Sequence, residues 1–195
     1  SQECEGVYAL VNGAFARKWA DGHWSPLKRI RGEIMKVVRD DVFEAVRRGY
    51  NDLELTSEDE ITAYFSAIDE TDVLGHSNHI KGILLEQVYV GALEAAGLGA
   101  SLFEATNHPA TDVLAFGGLD GITEMQLKAT DSVSYVTSAM QEDPEIAYAV
   151  TSEVAAAMGS DLVINTGIEN AALESAVSDT LFEEAVSPIG AFSLF

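Results

Sequence analysis

The chain has 195 residues, 47% of them hydrophobic, with a formal net charge of −21 and a single cysteine, Cys4. That length supports one domain with a proper core and a helical appendage, and that apolar fraction excludes a disordered acidic tail. Cys4 alone excludes an internal disulfide or a cysteine-based zinc cluster, and no apolar run approaches the roughly 20 residues of a membrane-spanning helix. A soluble protein of the reducing cytoplasm is therefore expected. Nothing at the N-terminus combines a basic segment, an apolar stretch and a small-residue cleavage site, although a mature or excised fragment such as a delivered toxin would lack one as well.

The charge is distributed unevenly. Residues 1–50 hold nine of the eleven Lys and Arg against seven acids, whereas residues 51–195 hold two lysines, Lys81 and Lys128, against 25 acids, a net of −23. Such a surface repels a polyanion unless cations intervene, which argues against ordinary nucleic-acid binding by charge alone.

In chain order, "SPLKRIRGEIMKVVRDDVFEAVRRGY" opens with Ser25 as N-cap and Pro26 at the first helical position. Ile30, Ile34, Val37, Val38, Val42 and Val46 then recur at helical spacing, predicting one amphipathic helix or two with the basic residues as a solvated face. In "TSEDEITAYFSAIDE", Ser57 and Glu60 are spaced as a capping box ahead of Ile61, Tyr64, Phe65 and Ile68. From about Leu74 the pattern changes. "HIKGILLEQVYVGALEAA" predicts a largely buried helix, followed by three short strands in "ASLFEAT", "ATDVLAF" and "GITEMQLKAT", the last two joined by a tight turn at Asp120-Gly121. A helix in "SVSYVTSAMQED" stops before Pro144, strands follow in "EIAYAVTS" and "DLVINTG", and a last helix covers "IENAALESAVSDTLFEEAV". The expected architecture is α/β or α+β, a mixed central sheet flanked by helices. A boundary near Glu70 to Gly75 divides a helical accessory region, 1–73, from an α/β core, 74–195.

The chemistry-bearing residues fall in that core. On the strand through 123–130, side chains alternate, so Glu124, Gln126, Lys128 and Thr130 share one face while Met125, Leu127 and Ala129 share the other. Asp112 lies amid Val113, Leu114 and Phe116, where an isolated carboxylate is costly to bury unless paired. At 100° per residue, Glu86 shares its helix face with Gly82, Ile83, Tyr89, Val90 and Leu93. Asp112 and Glu86 supply hard oxygen ligands suited to Mg²⁺, and Lys128 suits orientation of an attacking water or stabilisation of charge developing at phosphorus.

The helix glutamate in "KGILLE", then "PATD", then "EMQLK" resembles the PD-(D/E)xK nuclease superfamily, in the variant with glutamine in place of the third-motif acid, as in Mrr-like nucleases. The resemblance covers roughly residues 75–151 and implies a restriction-endonuclease-like fold with the core order helix, three strands, helix, strand. It assigns Asp112 as the central metal ligand, Gln126 to the position usually held by a metal-binding acid, Lys128 as the catalytic lysine and Glu86 as the helix acid. Mg²⁺ or Mn²⁺ as cofactor, nucleic acid as substrate with DNA ahead of RNA, and a homodimer as a working form follow from it. This sequence departs from the motif at two points: Ala110 and Thr111 separate Pro109 from Asp112, and Gln126 coordinates only through a neutral carbonyl unless Glu124, on the same face, compensates.

Competing readings attach to the same residues. Lys128 also reads as an edge-strand surface lysine, although the rarity of lysine in this part of the chain weighs against that. His76, His79 and His108 read as helix-capping or loop-lining residues rather than zinc ligands, since no cysteine or further histidine pair supports a site. The rival functional class is a catalytically inactive nuclease-fold protein whose acidic surface holds a basic partner or imitates nucleic acid. An immunity protein is the expected partner if the chain is a toxin, and adaptation to high salt is a further source of the acid excess.

Overall fold

A computed structural model describes residues 36–102, 111–118, 121–159 and 162–182. Helix α1 (Arg39–Gly49) starts where the Asp41 carboxylate accepts from the Val38 N–H at 2.9 Å, with Val38 extended at the N-cap. The helical reading of Val37 and Val38 is thus corrected, because the local acid terminates the helix N-terminally before the apolar period does; Ser25 and Pro26 lie outside the described residues. A 3₁₀ turn (Asn51–Leu53) leads to α2 (Glu58–Ser66). There the expected capping box is formed: the Ser57 hydroxyl accepts from the Glu60 N–H and the Glu60 carboxylate accepts from the Ser57 N–H.

Helix α3 (Glu70–Ala95) begins well before the predicted start at His79. Its first turns carry Gly75, Ser77 and Asn78, poor helix formers with no apolar period, and the order there comes from tertiary packing. Tyr50 packs on both His76 and His79, with ring centroids 5.6 and 5.5 Å away, and Phe65 packs edge-on against His76 at 5.9 Å. The two histidines are therefore part of an aromatic cluster within a helix rather than a cap or loop lining, and His108 lies outside the described residues. The boundary expected at 70–75 falls inside this continuous helix. Val42, Phe43, Ile61 and Phe65 from α1 and α2 share one buried core with Leu84, Leu85 and Leu93 of α3 and with the sheet. The approach of α1 to α3 is close: a Cβ at Gly49 would collide with the Ile83 Cδ1 atom.

Strands β1 (Gly99–Leu102), β2 (Val113–Gly118) and β3 (Gly121–Lys128) form an antiparallel meander, and the predicted β2–β3 hairpin is present with Gly118 paired to Gly121. Helix α4 (Val133–Glu142) carries the chain over to β4 (Ala147–Val150), which pairs parallel to β3 with Gln126 beside Tyr148 and Lys128 beside Val150. A short helix that the sequence reading omitted, α5 (Ser152–Met158), precedes β5 (Ile164–Asn165), and α6 (Asn170–Leu181) follows. The sheet order is β1-β2-β3-β4-β5, a mixed α+β arrangement. Strand β3 is central, so the edge-strand reading of Lys128 is corrected.

Each sheet face has its own cover. Val113, Met125, Leu127, Ala147 and Ala149 point into the core shared with α1, α2, α3 and α6. On the opposite face Tyr148 and Val150 pack with Val136 and Met140 of α4 and with Val154 of α5. The β3 residues Gln126 and Lys128 belong to that second face, beside the helical cover and partly open to solvent.

Candidate active site at one end of the sheet

The period-two alternation predicted for β3 is present: Met125 and Leu127 are buried, Glu124 is exposed, and Gln126 and Lys128 are intermediate. Asp112 stands immediately before β2 and brackets Gln126 through the main chain. Its N–H donates to the Met125 carbonyl at 3.0 Å, and its Oδ2 atom accepts from the Leu127 N–H at 2.7 Å. A carboxylate tied to the backbone of the neighbouring strand is fixed in position, which a metal ligand requires.

Glu86 reaches the same region from α3. Its carboxylate accepts from the Arg48 guanidinium at 2.8 Å, and the two side chains are 13% and 18% exposed. Burial, and next the negative charge of Asp112, push the Glu86 carboxyl up to about 7, against the opposing pull of Arg48. An ion pair this short would by itself hold a carboxyl low; here desolvation and the like charge outweigh it, because removing a carboxylate from water costs several kcal/mol. At neutral pH, Glu86 is therefore poised between its charged and neutral forms.

Arg48 is the residue that sequence reading missed. Its neighbours Arg47 and Arg39 behave as the expected outer face, Arg47 paired with Glu44 across one helical turn and Arg39 lying 5.1 Å from the Phe43 ring centroid. Arg48 instead turns inward to a partner 38 positions away, and no local pattern encodes such a distance. The two lysines of the acidic region also separate. Lys81 is 5% exposed and donates to Glu174 at 2.9 Å, holding that carboxyl below its usual range, so it serves the α3–α6 contact. Lys128 ends β3 with its ammonium 5.5 Å from the Tyr135 ring centroid. Tyr135 in turn sits in the first turn of α4, where the Ser132 hydroxyl caps its N–H.

The carboxylates fit a cation in part. Glu86 and Asp112 interact as like charges, an arrangement that a divalent ion relieves. Among the described residues no three His, Cys, Asp or Glu side chains form a metal-holding group. Such a pair suits Mg²⁺, which keeps several waters and takes few protein ligands. Searches of family models, curated proteins and solved structures each returned no match. Among the described residues, no helix is long and apolar enough to cross a membrane.

Proposed function

We propose that this protein is a metal-dependent nuclease of the PD-(D/E)xK type with a restriction-endonuclease-like core, hydrolysing phosphodiester bonds of nucleic acid, with DNA the first substrate to test. What supports the reading is the electrostatic interaction of two carboxylates from separate elements, Glu86 on α3 and Asp112 before β2, the latter tied to the backbone of a strand that ends in a partly exposed lysine. The element order helix, three antiparallel strands, helix, parallel strand supports it.

In this reading Asp112 and Glu86 hold the ion, with the Gln126 carbonyl and water completing its shell. A bound Mg²⁺ or Mn²⁺ supplies Lewis-acid polarisation of the phosphoryl oxygen and a more acidic water. The chain's own residues do the rest. Lys128 places a positive charge where negative charge develops at phosphorus and donates to the attacking water. Asp112, fixed by the backbone of β3, keeps its carboxylate from swinging away. Arg48 orients Glu86 from α1, which makes the helical region part of the site's support.

Incubating the protein with plasmid, linear and single-stranded DNA and with RNA, in Mg²⁺, Mn²⁺ or EDTA, tests the proposal. Cutting that appears only with the divalent ion is expected; a folded protein that cuts none of the four substrates would move the weight to an acidic binding protein.

A further inference from the structure

Tyr135 is the one aromatic among the exposed large hydrophobic side chains of the described residues, at 56% exposure, and it stands at the proposed site. The Lys128 ammonium lies 5.5 Å from the ring centroid, and more than half of the residue's surface remains open to water. Its backbone is fixed at the first turn of α4 by the Ser132 cap, so the ring is offered from a rigid element.

Charge sharpens the question of what that ring does. With two lysines against 25 acids in residues 51–195, backbone electrostatics supplies little attraction for nucleic acid in this part of the chain. Base stacking does not depend on net charge and accepts any base, provided the base is unpaired. A phosphodiester at Lys128 has its own base within one nucleotide's reach of the ring. We propose that Tyr135 is a nucleobase-stacking residue that receives an unpaired base beside the phosphodiester held at Lys128, so that the preferred substrate is single-stranded or frayed nucleic acid. This inference rests on the nuclease reading and adds to it a substrate class and a contact residue.

The test is fluorescence anisotropy of a fluorescein-labelled oligothymidine and of a blunt duplex, at low salt, in Ca²⁺ and again in EDTA, with native protein, Tyr135→Phe and Tyr135→Ala. Thermal unfolding of each variant verifies the fold. The expected result is single-strand binding weakened roughly tenfold by Tyr135→Ala, equivalent to about 1.4 kcal/mol, retained by Tyr135→Phe, with duplex binding indifferent to both changes. Parallel cleavage rates should show the loss mainly in KM. Native protein that cuts nucleic acid while Tyr135→Ala binds the oligothymidine as tightly as native would overturn the stacking role alone. So would a variant with intact binding and a lowered kcat, since the ring would then serve only to hold Lys128. Native protein that neither binds nor cuts would overturn the stacking role together with the nuclease reading.

Discussion

Asp112→Asn is expected to abolish metal-dependent cutting, and Lys128→Ala to lower kcat by roughly 10²–10³-fold, with both proteins folded as native. The asparagine variant is informative because its side-chain carbonyl can still accept from the Leu127 N–H, as the carboxylate does at 2.7 Å, so the tie between β2 and β3 is kept while the charge is lost. Lys128 is partly exposed at the end of β3, and its removal leaves no large cavity. A folded variant of either kind that cuts at the native rate would contradict the assignment of that residue. A drop confined to KM in Lys128→Ala would make the lysine a ground-state phosphate contact and not a transition-state one.

The second large effect concerns stability and lies on Glu86. Its carboxyl titrates at 4.5 in the unfolded chain and at about 7 in the folded one. Between those values the native state binds more protons, so stability falls as pH rises; the penalty is absent below about 4.5 and fully present above about 7. The displacement corresponds to roughly 3 kcal/mol in the metal-free protein. Other carboxylates titrate in the lower part of that window, so the comparison is with Glu86→Gln, which cannot ionise. Urea unfolding in EDTA at pH 5 and pH 8 should show native protein losing stability relative to Glu86→Gln as the pH is raised. Parallel behaviour of the two proteins would mean that Glu86 is not desolvated as the fold places it.

Much of this site was legible because its signals are local. The face alternation of β3 follows from a period of two, and the glycine-rich stretch between the two apolar runs announced the pairing of β3 with the strand after Asp112, although Gly121 lies within β3 and Asp120 outside the described residues. Glu86 among Ile83, Tyr89 and Leu93 follows from 100° per residue. What was not legible depends on contacts distant in sequence. The Arg48–Glu86 pair spans 38 positions. The start of α3 rests on Tyr50 and Phe65 packing against His76, and that outweighs the weak helical propensity of Gly75, Ser77 and Asn78. Helix α5 is seven residues of mostly small side chains without an amphipathic period, marked in the sequence only by Thr151 and Gly159 at its ends. The exposure of Tyr135 depends on how α4 lies against β4, which no window of sequence contains.

The acid excess takes on a narrower meaning against this geometry. Among the described residues most of the carboxylates are exposed, and they impose a repulsive field on a polyanion. In the proposed site, Glu86 and Asp112 set two part-buried carboxyl groups at one point, where a divalent cation would reverse the local sign. On the proposed nuclease reading, the ion would serve substrate approach as well as chemistry.

Calorimetric titration of the protein with Mn²⁺ at pH 8, native beside Asp112→Asn, bears most directly on the claim that this end of the sheet is a cation site. Saturable binding by native protein, weakened at least tenfold by Asp112→Asn, is the predicted result. No binding by folded native protein, or equal affinity in the two, would contradict it.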